Sequence, residues 1–343
     1  MHTPPLRYLS AADVLAAMPD IDERLELAAT TMVALVDDAQ LPPKIGVDPA
    51  PTDSFAHAMP AWMRGNAADA SADLLGLKWV VGFPGNADRS LPAIAATTIL
   101  NDAVTGLPLG ILDAGGITAY RTAAVSGTAI SRWGPQADGP VAVIGAGVQA
   151  RSHLPIVAHL LPGTDVILCD RDPARVAALA EEVDAGEHGV FGGMRTVTDP
   201  VTAVKGATLV LTLVSFGPDH QSVSEDAFRE DATIVAVDYD MCVPASLAGS
   251  TALFLTDDRG QFLANRTETQ FVGYPDPMAT MGEAITAATP RPDGRVLISH
   301  LGVGLADVVF ADAILRAAEA RGIGTILERW PTGVPSSPSE WRR

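Results

Sequence analysis

The segment VAVIGAGVQARSHL at residues 141–154 decides the fold. Four apolar residues run into the turn Gly145, Ala146 and Gly147, and helical spacing follows. A glycine turn between a strand and a helix is typical of a dinucleotide-binding βαβ unit. Gly145 permits the tight turn, Gly147 lets the backbone approach a pyrophosphate, and Ala150 allows close helix–strand packing. The segment therefore predicts a Rossmann domain that holds phosphates at a helix N-terminus.

The next strand, DVILCD, ends in Asp170, 25 residues after Gly145. A carboxylate there can accept hydrogen bonds from both ribose hydroxyls of NAD and repel the 2′-phosphate of NADP. Arg171 follows at once and could meet that phosphate, so NADP stays open beside NAD. The remaining alternative is a Rossmann-like domain without cofactor, in which Asp170 caps the next helix.

Three further residues are assigned to the cofactor site. Val148 and Gln149 continue the glycine turn into the helix. Ser215 follows the apolar run TLVLTLV, at an edge where backbone and small side chains line the cofactor's ribose and nicotinamide. The alternative for Ser215 is that it only ends a strand.

Strand and helix patterns divide the chain. Before residue 134, the patterns predict mainly strands and two helices, and after 140 they alternate strictly between strand and helix. The principal predicted elements are a helix at 10–38, strands at 76–86, 93–102 and 107–114, a helix at 115–133, a Pro/Gly linker at 134–140, and a long helix at 300–324 that ends at Gly322.

Composition excludes several classes of protein. The 343 residues carry a formal net charge of −18, which argues against nucleic acid and anionic membranes as partners. No apolar run reaches the roughly 18 residues of a membrane helix, and the N-terminus lacks a signal-peptide pattern. Cys169 and Cys242 are the only cysteines, so neither a disulfide framework nor a metal site is predicted. We expect a cytoplasmic α/β enzyme.

Four blocks in a fixed order carry a family resemblance: MPAW at 59–62, GLKWVVGFPGN at 76–86, ITAYRTAAVSG at 117–127 and GAGVQA at 145–150. Together they resemble the ornithine cyclodeaminase/mu-crystallin family, from about residue 40 to residue 320. The resemblance implies a Rossmann NAD(P)-binding domain at 133–298. This domain is inserted in a mixed α+β substrate-binding and dimerisation domain formed by 1–132 and 299–343. It also implies a homodimer.

The same resemblance implies roles for three cationic residues. Arg121 matches the family's carboxylate-binding arginine, and a guanidinium suits that role because it forms two parallel hydrogen bonds. Lys44 lies where many members have a second arginine, although it could be a solvated loop lysine. Lys78 matches the active-site lysine. It lies in an apolar strand, where burial would lower its pKa toward proton transfer. The alternative is an edge-strand lysine that prevents aggregation.

The family's catalytic acid aligns with Asp240 in IVAVDYDMCVPASL, with Asp238 as the alternative. The resemblance also places Met59 with the substrate, and Thr122 and Gly302 with the cofactor. His300 is either an acid/base group or a histidine satisfied at the domain junction. Asp307 is either a polar residue near the nicotinamide or an acid that packs its helix.

Three functions follow from these assignments. The first is an NAD(P)-dependent oxidoreductase that acts on the Cα–N bond of an amino acid or its imine. The second is a lyase that releases ammonia from a basic amino acid and recycles its NAD internally. The third is a non-catalytic binding or accessory protein. The segment after Asp240 departs from the Gly-Lys-x-Glu-Leu pattern of the cyclodeaminases, which favours the first.

Overall fold

The computed structural model describes residues 5–65, 69–89, 91–217, 220–268 and 270–327. Two sheets of eight strands organise these residues. The first sheet contains β1 (Leu6–Leu9), β2 (Ala39–Gln40), β3 (Ile45–Val47), β4 (Phe55–Met63), β5 (Leu74–Gly82), β6 (Ile94–Asp102), β7 (Pro108–Asp113) and β16 (Thr325–Leu327). Its order is β16-β1-β7-β6-β5-β4-β2, and β3 pairs with β4.

The second sheet is parallel throughout and has the order β10-β9-β8-β11-β12-β15-β13-β14. Its strands are β8 (Val141–Ile144), β9 (Val166–Cys169), β10 (Met194–Val197), β11 (Leu209–Thr212), β12 (Thr233–Ala236), β13 (Leu253–Thr256), β14 (Ala279–Thr280) and β15 (Val296–Ser299). The strand order reverses between β8 and β11, which opens a ligand crevice at their carboxyl ends. This arrangement confirms the predicted α/β fold class with a Rossmann-type sheet.

Ten α-helices connect and cover the sheets in the described part of the chain. They are α1 (Ala11–Ala16), α2 (Ile21–Asp37), α3 (Gly115–Trp133), α4 (Val148–Leu160), α5 (Pro173–Asp184), α6 (Pro200–Val204), α7 (Ala245–Ser250), α8 (Arg259–Glu268), α9 (Met281–Thr286) and α10 (Gly304–Arg321). In that same part, none of the helices has the length and apolar character needed to span a membrane.

The single helix predicted at 10–38 is two helices. Ser10 caps α1 with a capping box to Asp13, but α1 ends before Pro19. Proline disfavours helical geometry in the residue before it, so the chain leaves the helix there. Asp20 then caps α2 by accepting a hydrogen bond from the Glu23 N–H.

Helix α10 joins the two sheets at the site. It follows β15 of the second sheet and packs across β4, β5 and β6 of the first. It ends at Gly322, whose φ of +67° forms the left-handed cap predicted from the sequence. The first sheet takes its strands from 6–113 and 325–327, and the second from 141–299. The predicted domain division, whose ends 1–4 and 328–343 lie outside the described residues, stays a prediction.

Candidate active site

Three buried charged side chains meet where α10 crosses the first sheet. Lys78 Nζ lies 2.8 Å from Asp307 Oδ2, and Arg121 Nε lies 3.1 Å from Asp307 Oδ1. The exposed fractions of the side chains are 2% for Lys78, 7% for Arg121 and 0% for Asp307. Isolated charges at such depth are costly, so the pairing is what makes the burial possible. One carboxylate therefore orients both cations.

Local geometry sets the direction of Lys78. Side chains alternate across β5, so Gly76, Lys78 and Val80 face α10 while Trp79 faces outward. Met59 on β4 is the cross-strand neighbour of Lys78, and its carbonyl lies against Gly304 at the start of α10. A Cβ at Gly304 would stand 2.5 Å from that oxygen, so glycine permits the close approach of helix and strand.

The guanidinium of Arg121 rests against Gly302. A Cβ at Gly302, whose φ is +83°, would lie 2.8 Å from Arg121 Nη1 and 2.9 Å from Nη2. The Gly302 N–H donates to Asp257 Oδ2 at 2.7 Å, and its carbonyl accepts from Gln261 Nε2. The backbone at Gly302 is thus fixed by neighbours and leaves space for the arginine fork.

Lys44 brings a third cation to the same place from a loop before β3. It is half-buried, and its Nζ donates to the Tyr239 hydroxyl at 2.9 Å and to the Leu301 carbonyl at 2.7 Å. Tyr239 and Leu301 lie just after strands β12 and β15 of the second sheet, whereas Lys44 lies just before β3 of the first. The lysine therefore bridges the two sheets beside Arg121.

Burial changes the acid–base behaviour of both lysines. Desolvation lowers the pKa of Lys78 to about 7, although Asp307 opposes the change, and nearby Arg121 adds to it. Desolvation likewise lowers the pKa of Lys44 to about 8, with Asp257 opposing it. Lys78 is therefore divided between its ammonium and amine forms at neutral pH, as a proton donor and acceptor must be.

The glycine turn has the geometry of a phosphate-binding loop. Gly145 has a φ of +107°, and a Cβ there would lie 2.6 Å from the Leu213 carbonyl oxygen. A Cβ at Gly147 would meet nothing within 4 Å, so open space lies beside the first turn of α4. No side chain caps α4, and Val148 at its start is 68% exposed. The N–H groups of Gly145 and Ala146 donate to the Cys169 carbonyl and to Asp170, while those at the start of α4 have no side-chain cap among the described residues and suit an anion.

Known proteins match this chain over nearly its full length. The family model described as "Ornithine cyclodeaminase/mu-crystallin family" covers residues 10–321. The chain belongs to this family. It is 29% identical to the nodulation efficiency protein of Rhizobium meliloti over 94% of this chain and 98% of that protein. It is 28% identical to the alanine dehydrogenase of Archaeoglobus fulgidus over 90% of this chain and 92% of that one.

The fold is also that of solved structures. The Δ(1)-pyrroline-2-carboxylate reductase of Thermococcus litoralis, in complex with NADH and L-proline, has a TM-score of 0.81 to this chain. The match has 22% sequence identity and covers 94% of this chain and 100% of that one. Among similar proteins are NAD(P)-dependent imine or amino-acid reductases, dehydrogenases and cyclodeaminases, which supports an enzyme.

Asp240, the acid that the family alignment selects, does not join Lys78. Strand β12 ends at Ala236, so Asp238 and Asp240 lie in the turn beyond it. Asp240 Oδ2 accepts from the Phe271 N–H at 2.8 Å. The acid beside Lys78 is Asp307, which the sequence left as either a polar residue near the nicotinamide or an acid that packs its helix. A catalytic role for Asp240 stays a prediction that the contacts of Lys78 do not support.

Asp238, the alternative acid, is buried and fully engaged. Its two oxygens accept from Thr212 Oγ1 at 2.6 Å and from the Val214 N–H at 3.2 Å. Burial raises the pKa of Asp238 to about 6, although these hydrogen bonds oppose the change. The side chain thus ties the ends of β11 and β12 together.

Most of the predicted cofactor residues follow the carboxyl ends of β8, β9 and β11, whereas Thr122 lies on α3 and Gly302 follows β15. Asp170 Oδ2 accepts from the Ala146 N–H at 2.8 Å and so holds the glycine turn. Arg171 and Ser215 are exposed at the same edge. Thr122 is buried, and its hydroxyl donates to the Thr118 carbonyl within α3.

His300 belongs to a buried chain of hydrogen bonds. His153 Nδ1 lies 2.6 Å from the Gln149 carbonyl, which can only accept, so this nitrogen carries the proton. Ser126 Oγ lies 2.8 Å from Nε2 of both histidines. Ser126 therefore donates to His153 and accepts from His300. Desolvation lowers the pKa of each histidine to about 3, so both are neutral. Nδ1 of His300 has no hydrogen-bond partner among the described residues, so only one of its two ring nitrogens is satisfied and both interpretations of this histidine stay open.

One group of possible metal ligands lies outside this cluster. Donor atoms of Glu182, Glu187 and His188 lie within 4.8 Å of one another. Glu182 already accepts from Arg151 through both oxygens and from His188. Its charge is therefore balanced by protein groups.

Proposed function

We propose that the protein is an NAD(P)-dependent oxidoreductase that acts on the Cα–N bond of a small amino acid or its imine. The observation that carries the proposal is the buried cluster of Lys78, Asp307 and Arg121 beside the crevice of the parallel sheet. It combines a group that exchanges protons near neutral pH with a guanidinium oriented to bind a carboxylate.

The residues of the crevice fit a dinucleotide. The open space beside Gly147 and the uncapped first turn of α4 suit a pyrophosphate, and half-buried Asp170 suits the adenosine ribose. A glycine at 147 would be unnecessary if no ligand approached the backbone there. When bound, nicotinamide supplies or accepts the hydride at Cα. NAD is favoured by Asp170, and exposed Arg171 keeps NADP possible.

The substrate carboxylate is held by Arg121. Its Nε is occupied by Asp307, while Nη1 and Nη2 have no hydrogen-bond partner among the described residues. Two parallel N–H groups match a carboxylate, and the Asp307 contact fixes their plane. Lys44 has donated two of its three hydrogens, so the third is available to the same carboxylate.

Lys78 handles the proton at the substrate nitrogen. In reduction its ammonium gives a proton to nitrogen, and in oxidation its amine takes one back. Asp307 keeps Nζ in position and moderates the loss of charge that burial causes. The near-complete burial of Lys78 keeps bulk water away from this exchange.

Absorbance at 340 nm tests the proposal. NADH and then NADPH would be mixed with the protein and a panel of 2-oxo acids with amines, or preformed cyclic imines, while ornithine, lysine and arginine are assayed for ammonia. We expect oxidation of the nicotinamide by at least one imine. Lys78→Met should lower kcat/KM at least about 100-fold, and the exposed-site control Lys205→Met should not. Ammonia release at constant absorbance would instead identify a lyase, and cofactor binding without turnover would identify a binding protein.

A further inference from the structure

The carboxylates near the three cations are buried, and each already contacts protein groups. Asp257 and Asp307 raise the pKa of Lys44 against the larger lowering by desolvation, whereas the carboxylate of Asp240 accepts from the Phe271 N–H. Asp307 is fully buried and shared by Lys78 and Arg121. Asp257 is 1% exposed; its oxygens accept from the Asp258 and Gly302 N–H groups.

The cations at the same site have N–H donors that are not used in hydrogen bonds among the described residues. The Arg121 fork and the third hydrogen of Lys44 lack acceptors among the described residues. The charge balance therefore favours one carboxylate and opposes a second ammonium. A substrate with a charged amine at the end of its side chain would leave that amine unpaired, which is costly in a desolvated site.

Aromatic rings border the cluster on the side of Tyr239. Tyr239 is uncharged, and its hydroxyl accepts a hydrogen bond from Lys44 Nζ. Its ring meets Phe216 edge-on at 4.7 Å between centroids and stacks on Phe271 at 5.5 Å. Phe216 is 51% exposed and Tyr239 is 9% exposed, so Phe216 presents an apolar surface in front of the buried Tyr239 ring.

The backbone at Tyr239 is held in an unusual conformation. Its φ is +61°, a value that is uncommon for residues other than glycine and a genuine outlier for bulky ones. Such a conformation persists only where the surroundings enforce it, and it commonly marks a functional site. Here the ring faces Lys44 from the turn that follows β12.

We infer that the side chain of the substrate is neutral and apolar, and that Tyr239 determines this specificity. The inference rests on the proposed function and names its substrate class. Arg121 and Lys44 bind the carboxylate, and the ring of Tyr239, with that of Phe216, contacts the side chain. Basic amino acids, and the cyclic imines that retain a charged side-chain amine, are excluded.

Two matched pairs of amino acids test the inference. L-Norvaline and L-ornithine differ only by a terminal amino group, as do L-norleucine and L-lysine. Each would be given to the NAD-saturated protein, with NADH formation followed at 340 nm and binding measured by calorimetry. We expect the neutral member of each pair to be favoured about 100-fold or more. Equal or better use of ornithine or lysine would overturn the inference.

Two variants test the role of Tyr239. Tyr239→Asp adds a carboxylate, and Tyr239→Asn is its neutral match; both residue types tolerate a positive φ. We expect the ornithine-to-norvaline ratio to be at least about tenfold higher in the Asp variant than in the Asn variant. Equal ratios would remove Tyr239 from the subsite. Thermal melting and NADH affinity check that each variant is folded.

Failure of the proposed function has a separate signature. In that case no amino acid or imine changes the absorbance at 340 nm, yet calorimetry still ranks the ligands. A preference for norvaline in binding would then support the neutral subsite without the oxidoreductase. Equal heats and affinities for both members of each pair would overturn the subsite.

Discussion

Asp307→Asn removes the only negative charge that contacts both Lys78 and Arg121 in the described structure. The two cations would then share a buried site without a counter-ion, because the exposed fraction of neither side chain exceeds 7%. Breaking a buried pair by removing one partner costs about 3–5 kcal/mol. We expect the free energy of unfolding to fall by that amount at pH 5.5.

A second aspartate on α10 provides a matched control. Asp312 pairs with Arg316 at 2.8 Å, the same distance as in the Lys78 pair, but the arginine side chain is 68% exposed. Exposed pairs contribute about 0–1 kcal/mol because water screens them. Asp312→Asn should therefore lower stability by no more than about 1 kcal/mol. The two variants share the residue type, the helix and the substitution, and differ in burial.

The cost of Asp307→Asn should depend on pH in a defined direction. In the wild type the folded pKa of Lys78 is about 7, below its ordinary value of 10.5. Stability therefore rises with pH above about 7, where the unfolded chain binds more protons. Without Asp307 the folded pKa is lower, so the same rise begins at lower pH. The penalty is largest at acidic pH and shrinks as the pH approaches 7.

Urea unfolding at pH 5.5 and pH 8, followed by circular dichroism, measures both effects. With a urea slope of about 3 kcal/mol/M, a loss of 3–5 kcal/mol lowers the midpoint by about 1 M or more. The reasoning is refuted if Asp307→Asn shifts the midpoint no more than Asp312→Asn does. It is also refuted if the penalty is the same at both pH values.

Three further predictions concern the crevice, the histidines and assembly. Gly147→Val should weaken NADH binding about tenfold or more in a fluorescence titration. Its melting temperature should stay unchanged, because a Cβ at 147 meets open space, whereas Gly145→Ala should lower the melting temperature. The pKa values of His153 and His300 are lowered to about 3, so their stabilisation is present above pH 6.5 and lost as the pH falls toward 3. Each of the two histidines should lower the free energy of unfolding by about 2 kcal/mol between pH 7 and pH 5, measured by urea unfolding. His300→Gln should halve this loss. Trp79→Glu should convert the expected homodimer to a monomer in sedimentation, because Trp79, Ile45 and Val47 are exposed on one apolar sheet face. The control Val104→Glu, in an exposed turn, should leave the dimer intact.

Local signals account for the elements that the sequence predicted well. Helix α3 spans Gly115–Trp133, matching the predicted 115–133, because glycines precede it and a Pro/Gly linker follows it. Helix α5 begins at Pro173 with Asp172 as its cap, since an Asp-Pro pair satisfies the first turn. In these segments short-range chemistry and the final fold agree.

Strand β4 depended on more than local patterns. Residues 55–63 include Pro60 and three alanines, which dilute the strand alternation. Pairing with β3 on one side and β5 on the other stabilises this strand. Tertiary pairing therefore overrides a weak local preference.

The acids show why the centre of the site was harder to predict than its edges. Alignment along a strand selected Asp240, but β12 ends at Ala236 and the positive φ of Tyr239 redirects the chain toward Phe271. The sequence nevertheless contained a signal for Asp307, which lies in the apolar run GLADVVF on a helix. A carboxylate there is buried with its helix and needs a cation. Arg121 and Lys78 are also set in apolar runs, so three buried charges of opposite sign had to meet.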